Sequence, residues 1–141
     1  MKKTSFIVLS AIILFSCKKD KETCIVNAAS ISGSYKITAA TYKANATATE
    51  TDYYTTLFPD ACERDDVYTF NANGIYQIAD VGIVCSPSGD DDGTWGFSGN
   101  NSLLIDGDAV ILESFDCKKL ILVNTDTQTA GDRLKLTLTR Q

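Results

Sequence analysis

The sequence contains no histidine, and this absence narrows the chemistry available to the protein. Without an imidazole, the chain lacks the usual base of hydrolase triads, the commonest zinc ligand and the usual proton carrier near neutral pH. It also contains no glycine-rich phosphate loop and no Cys-x-x-Cys pair. We therefore expect no catalysis, no bound metal and no cofactor.

Basic residues are few as well, with 13 Lys and Arg against 18 Asp and Glu and a formal net charge of −5. An acidic chain is repelled by phosphate backbones and by anionic lipid headgroups. The composition therefore disfavours nucleic acid as a partner, and it disfavours electrostatic docking on a membrane.

Long apolar runs are missing except at the N-terminus. There, Lys2 and Lys3 precede the apolar stretch 6–15, and the stretch leads into Leu14-Phe15-Ser16-Cys17. A membrane helix is the alternative interpretation, but the stretch is too short for one, because crossing a bilayer takes about 20 residues. A basic region, an apolar region, a small residue and a cysteine in this order resemble the lipobox of bacterial lipoproteins.

The resemblance implies that signal peptidase II cleaves before Cys17 and that its thiol carries a diacylglycerol, with acyl chains such as palmitate. Residues 1–16 are then a signal peptide, residues 17–30 a lipidated tether and residues 31–141 one folded domain. Two or more acyl chains anchor a protein lastingly. Lys18 follows the cysteine, instead of the aspartate linked to inner-membrane retention, so we expect the outer membrane of the cell envelope, on either face.

From residue 31 onward, the chain predicts β-strands separated by short turns. The last strand shows this most clearly, since Leu134, Leu136 and Leu138 alternate with polar residues. The predicted strands span residues 34–42, 67–70, 75–81, 94–98, 103–106, 109–115, 118–124 and 132–140. Eight antiparallel strands make an all-β fold, which is either a closed barrel or an open two-sheet sandwich.

One segment breaks the strand pattern. Residues 51–58 place aromatic and apolar side chains at helical spacing and are followed by Pro59. We expect one short helix here, between the first and second strands. It is either a plug that covers one end of the core or a lid over the mouth of a ligand cavity.

Several motifs resemble the lipocalin-like domain found in many small bacterial lipoproteins. They are Gly33-Ser34-Tyr35, where classical lipocalins have Gly-x-Trp, Cys62-Glu63-Arg64-Asp65-Asp66, the hairpin from Phe70 through Asn73-Gly74 to Tyr76, and Gly93-Thr94-Trp95 after Cys85. The resemblance covers about residues 31–140 and implies an eight-stranded antiparallel up-and-down barrel. Tyr35 can then cap one barrel end with Arg140 against its ring, as a Trp and an Arg do in classical lipocalins.

Four cysteines remain besides Cys17, and in an exported protein an even number predicts disulfides rather than free thiols. The second and third strands form a hairpin through Asn73-Gly74, and its outer ends carry Cys62 and Cys85. We expect these two to pair. Cys24 and Cys117 are then left to pair by elimination.

Two acidic groups each allow two interpretations. Asp65-Asp66 is either a catalytic carboxylate pair or a pair that binds backbone amides where a strand begins. We favour the second, because adjacent strand residues point to opposite faces. Asp90-Asp91-Asp92 is either a calcium site or a solvated turn, and we favour the turn because the ligand spacing of an EF-hand is missing.

Together these features favour a non-catalytic monomer that holds a small hydrophobic or amphipathic ligand in the barrel or at its mouth. Strand parity places the expected ligand contacts at Tyr53, Leu57, Phe58, Phe70, Tyr76 and Trp95. An eight-stranded barrel is just wide enough to be filled by side chains or to hold one small ligand. The alternatives are an envelope interaction module with a filled barrel that acts through its loops, and a lipocalin-fold enzyme.

Replacing Cys17 by serine tests the lipobox. The parent chain should be processed and sediment with membranes, whereas C17S should lose acylation and be processed differently or released. Cell fractionation and metabolic labelling with palmitate measure both properties. C24S alters a cysteine outside the lipobox and should label like the parent; equal labelling of C17S and the parent would contradict the prediction.

Overall fold

The computed structural model describes residues 24–99 and 101–141. The predicted signal peptide, Cys17 and the first part of the tether lie outside these residues and stay predictions. None of the helices in the described part is long and apolar enough to cross a membrane.

The described chain is built mainly of strands, with two short helices and one turn of 3-10 helix. The strands are β1 (Gly33–Lys43), β2 (Thr51–Asp52), β3 (Val67–Phe70), β4 (Ile75–Ala79), β5 (Asp91–Phe97), β6 (Ser102–Ile105), β7 (Asp108–Phe115), β8 (Lys119–Thr125) and β9 (Arg133–Arg140). The helices are α1 (Ala28–Ile31), α2 (Tyr54–Leu57) and the 3-10 turn Ala61–Glu63.

Eight of these strands form a closed antiparallel barrel. β1 pairs with β3, each strand from β3 to β8 pairs with the next along the chain, and β9 returns to pair with β1. β2 stands outside the ring and pairs with Thr41 and Tyr42 of β1. The predicted up-and-down barrel is confirmed, and the open sandwich is wrong.

The two ends of the barrel differ, and we call them the closed end and the open end. The closed end carries α1, the hairpin turn 71–74 and the C-terminus. The open end carries the turn between β6 and β7 and the loop between β8 and β9. Ile31 of α1 is fully buried against the core, so the helix seals its end.

Arg140 makes the central contact of the closed end. Its guanidinium donates to the carbonyl oxygens of Ser30 and Ile31 and to the Tyr35 hydroxyl, the last at 2.6 Å. Its Cζ lies 5.1 Å from the centre of the Tyr35 ring, and Tyr35 is fully buried. Tyr35 in turn donates to the Ile31 carbonyl at 2.6 Å. The stack expected from the sequence is present, and it ties the N-terminal segment to the last strand.

Two disulfides join the predicted partners, Cys62 to Cys85 and Cys24 to Cys117. The first links the segment before β3 to the loop after β4, at the outer ends of that hairpin. The second closes a separation of 93 residues and fixes Cys24 to the turn between β7 and β8. Part of the predicted tether is therefore attached to the closed end of the barrel.

The helix differs from the prediction, because its first residues extend as β2 instead. Asp52 accepts a hydrogen bond from the Tyr54 amide at 3.0 Å, and α2 begins there. The Tyr54 hydroxyl lies 3.0 Å from the Ile37 carbonyl oxygen and 3.4 Å from that of Arg64. β1 pairs with β3 only through residues 33–35, so Tyr54 fills the gap that opens beyond this point.

Replacing Arg140 by methionine should lower the free energy of unfolding by about 2–4 kcal/mol, because a buried hydroxyl and two carbonyls lose a charged donor. Arg133→Met is the matched control. It changes the other end of β9, where an exposed ion pair with Glu113 at 3.4 Å contributes less than about 1 kcal/mol. Urea unfolding of the disulfide-intact proteins measures both, and equal effects would refute the assigned role of Arg140.

Candidate functional site

A cavity of about 530 Å³ lies inside the barrel. Its apolar wall is formed by the aromatic ring of Phe70 and by aliphatic side chains from six strands. These aliphatic residues are Ile37, Ile78, Ile105, Ala109, Val110, Leu122, Leu136 and Leu138. Seven strands of the ring contribute a lining residue of some kind, so the cavity belongs to the barrel as a whole and not to one loop.

Strand alternation explains why these side chains meet. Residues two apart point to the same side of a strand, and paired residues on neighbouring strands share a side. Leu122 is paired with Leu136, and Leu138 is paired with Ile37. The odd and even positions of β9 therefore divide into an interior row of leucines and an exterior row of lysine and threonines.

The cavity becomes polar toward the open end. There it is lined by the phenols of Tyr68 and Tyr76 and by Asp106, Asp108, Asn124, Thr125 and Thr127. The two aspartates flank the turn between β6 and β7, and the last three belong to the end of β8 and the loop after it. A molecule in this cavity would meet hydrocarbon on one side and oxygen-bearing groups on the other.

Asp106 is held in a fixed position at this mouth. Its Oδ2 accepts a hydrogen bond from the Tyr76 hydroxyl at 2.6 Å, and its Oδ1 accepts from the Thr94 amide at 2.8 Å. The Tyr76 bond, helped by the Thr94 amide, lowers the pKa of Asp106. The same bond, with burial as a second cause, raises the pKa of Tyr76 to about 12.

Gly93 makes room for this pair. A Cβ at this position would lie 2.3 Å from Asp106 Oδ1 and 2.6 Å from Cε1 of the Tyr76 ring. Both neighbours are short or rigid, so neither moves away cheaply. The glycine on β5 is thus a packing requirement of the Asp106–Tyr76 bond.

Tyr68 provides a different polar group. Burial raises the pKa of its phenol to about 12. Within the described residues, no hydrogen bond is formed by its hydroxyl, although the side chain lines the cavity. Tyr68 is half-buried, and because its hydroxyl oxygen has no partner among the described residues, it is available to a bound molecule.

The loop between β8 and β9 is organised by Asp132, which is fully buried. Its carboxylate accepts from the amides of Thr127, Gln128 and Thr129 and from the Tyr42 hydroxyl. Burial alone would raise the pKa of Asp132, but these donors outweigh it and hold the pKa well below its usual range. These hydrogen bonds order the loop, and Thr127, which lines the mouth, belongs to it.

A family model described as a lipocalin-like domain matches residues 31–130. The chain belongs to this lipocalin-like family. The match includes both Gly93 and the β3–β4 hairpin, and it agrees with the closed barrel described above. No match was found among the curated proteins or among the solved structures.

Two of the expected ligand contacts, Phe70 and Tyr76, line the cavity of this lipocalin-like barrel. Trp95 does not. Its indole N–H donates to the Asn71 carbonyl at 2.8 Å, and its ring meets Phe70 edge-on at 5.3 Å, so it packs below the cavity toward the closed end. Its contact with Phe70 still makes Trp95 a reporter of changes in the cavity.

The three expected contacts near α2 also lie outside the cavity lining. Tyr53 packs on Tyr42, with ring centres 5.1 Å apart, and its hydroxyl accepts from Gln128 at 2.7 Å. Phe58 packs against the Tyr54 ring and the edge of the core, and Leu57 is half-buried beside it. The segment behaves as a plug in the barrel wall, and the lid interpretation is not supported.

The polar mouth and most of the aliphatic wall were not predicted from the sequence. The wall had a signal, because the alternating leucines of β8 and β9 predict an interior row. The sequence contains no comparable signal for the mouth, because Asp106 and Asp108 beside Gly107 are residue types typical of any turn. Only closure of the barrel shows that this turn stands over the cavity.

The other acidic groups considered above are not among the residues that line the cavity. Asp65 accepts from the Ile83 amide at 2.9 Å, as expected, whereas Asp66 is buried and accepts no hydrogen bond from the described residues. Asp91 and Asp92 are successive residues of β5 and face opposite sides, while Asp90 accepts from the Asp80 amide. In the described part of the chain, no group of three or more acidic, cysteine or histidine side chains is placed to hold a metal.

Tyr76→Phe should raise the pKa of Asp106 toward its ordinary value, because the hydroxyl that favours the carboxylate is removed. Carboxyl-detected NMR titration below neutral pH measures this shift. Tyr68→Phe is the control, since it removes a hydroxyl from the same cavity that makes no bond to Asp106. A pKa of Asp106 that is unchanged in Y76F would contradict the assigned bond.

Proposed function

We propose that this lipocalin-like protein is exported, is anchored to the outer membrane by lipid on Cys17, and binds a small hydrophobic or amphipathic molecule in its barrel without chemical change. The observation that carries the proposal is the cavity of about 530 Å³ inside the barrel. Small-molecule sites in proteins usually measure about 300–1,000 Å³. The cavity thus has room for one compact ligand.

The lining of the cavity supports an amphipathic ligand. Such sites are mostly apolar with a few placed polar groups, and here those groups gather at one end. The alternative of a filled barrel that acts only through its loops disagrees with the open interior. The proposed lack of catalysis is supported by the absence of histidine from the entire sequence.

Export is supported by the two disulfides, which are typical of oxidising compartments. The disulfide of Cys24 also bears on orientation. Six residues separate Cys17 from Cys24, and Cys24 is bonded at the closed end. A lipid on Cys17 would therefore hold the closed end toward the membrane and leave the open end facing away from it.

Filling the cavity tests the proposed function. Val110→Phe combined with Leu122→Phe adds ring volume to two cavity-lining positions and should weaken binding of a neutral apolar dye about tenfold, because space and apolar contacts are lost. The full chain in nanodiscs is titrated with the dye N-phenyl-1-naphthylamine, and energy transfer from Trp95, the only tryptophan, is recorded.

The matched control is Ile111→Phe combined with Ile121→Phe, which makes similar changes on the same two strands. Ile111 follows the interior residue Val110, and Ile121 precedes the interior residue Leu122. Both isoleucines therefore face outward, because adjacent strand residues point to opposite sides. In this control, the amount of dye that partitions into the nanodisc lipid is the same, and the energy transfer from Trp95 should match that of the parent protein. If both double variants transfer energy as the parent does, the dye does not enter the barrel and the proposal fails.

A further inference from the structure

The mouth of the cavity has an unbalanced charge. Asp106 and Asp108 both line it, and no lysine or arginine is among the lining residues. Asn124, Thr125 and Thr127 add neutral acceptor oxygens. A ligand whose polar end lies at this mouth therefore meets two carboxylates and no cation.

Both aspartates can act on a ligand as anions. Asp106 is fixed by the Tyr76 hydroxyl and the Thr94 amide, two donors that stabilise its charged form. Asp108 is exposed, accepts no hydrogen bond and forms no ion pair within the described residues. Among the described residues, no basic side chain neutralises either charge.

The basic side chains of the described chain are occupied or placed elsewhere. Arg140 is committed to the closed end, and Arg64 donates to the carbonyls of Phe58 and Pro59. Arg133 and Lys135 form ion pairs with glutamates on the outer surface. The rest are Lys36, Lys43, Lys118 and Lys119, and none of them lines the cavity.

The aromatic side chains of the cavity also favour a positively charged ligand. Tyr68, Tyr76 and Phe70 line it together, and the centres of the Phe70 and Tyr76 rings are 6.4 Å apart. The faces of aromatic rings attract ammonium groups. The phenol oxygen of Tyr68, which has no partner in the described residues, can also accept a hydrogen bond from such a group.

We propose that the barrel selects its ligand by charge, and that the ligand is a small molecule with an apolar body and a cationic, ammonium-type end that lies between Asp106 and Asp108. This inference rests on the proposed function and names the ligand class for the same cavity. Molecules with the same body and a carboxylate end are repelled by the two aspartates. The apolar body occupies the wall formed by residues such as Val110 and Leu138.

Three probes that share a phenyl ring on a four-carbon chain and differ in the charge of the polar end test the inference. They are 4-phenylbutylamine, 4-phenylbutanol and 4-phenylbutyrate, which carry a positive, a neutral and a negative end at neutral pH. The full chain in phosphatidylcholine nanodiscs is titrated with each by calorimetry, and empty nanodiscs correct for partition into lipid. We expect the amine to bind at least about tenfold more tightly than the butyrate at low salt, with the alcohol between them and a smaller difference at high salt.

Asp108→Asn assigns the effect to the mouth. It removes an unpaired charge at little structural cost and should narrow the difference between amine and butyrate about threefold or more, while binding of the alcohol stays unchanged. Asp92→Asn is the matched control. Asp92 is paired with the exposed Gln77 on the outer face of β5, so the same change in net charge there should alter the difference clearly less than D108N does.

The outcomes separate this inference from the proposed function. Butyrate binding as tightly as the amine overturns the charge selection and leaves the binding function standing. An equal response of D108N and D92N overturns the assignment to the mouth and reduces the effect to net charge. If none of the three probes binds and the dye does not enter the barrel, the proposed function and this inference both fail.

Discussion

The pairing of β1 with β9 is the constraint on which the structure depends. It joins the two ends of the chain and turns a row of consecutive hairpins into a ring, which removes the unpaired sheet edges. Arg140 reinforces this closure, because it lies on β9 and bonds to Tyr35 on β1 and to the carbonyls of α1. Hydrogen bonds from a charged guanidinium, together with its stacking on an aromatic ring, join the two strands more strongly than backbone hydrogen bonds alone. Because this contact seals the closed end, the mouth of the cavity lies at the open end.

The cavity exists because large side chains are concentrated near the seal. Tyr35, Phe70 and Trp95 pack there, and Trp95 meets Phe70 and Phe97 in one aromatic group. Toward the open end, the interior positions at the strand ends carry short polar residues, such as Asp108 and Asn124. Short side chains at these positions leave space above the aromatic group, because an eight-stranded barrel is just wide enough to be filled by side chains. The volume of the cavity thus follows from the order of residue sizes along the strands.

Much of this fold could be predicted from the sequence, because period-two alternation determines which face of a strand is buried. The strands from β6 to β9 lie within one residue of their predicted ends, and the hairpin geometry predicted the pairing of Cys62 with Cys85. Alternation does not determine how deep a residue lies along the barrel axis. Trp95 and Tyr76 both face inward, but the first belongs to the seal and the second to the mouth. Depth depends on the register between strands, which the closed ring sets.

The helix prediction was too long for a related reason. Helical spacing in residues 51–58 is real, but Thr51 and Asp52 have unpaired β1 backbone beside them and pair with it as β2. Tertiary hydrogen bonding therefore overrides local periodicity at this point, and only Tyr54–Leu57 stays helical.

The same residue type serves opposite purposes at the two aspartate sites of the open end. Asp132 is buried, and its carboxylate accepts hydrogen bonds from backbone amides that order the loop between β8 and β9. Each carboxylate oxygen of Asp106 accepts one hydrogen bond, and Asp108 accepts none within the described residues. Negative charge therefore remains at the mouth of the apolar cavity. Since a charge near low-dielectric walls acts more strongly than one in open water, this remainder affects a ligand more than the exposed acidic residues elsewhere on the surface do. Within the described part of the chain, Asp106 and Asp108 are thus carboxylates that the fold leaves beside a cavity without a basic partner.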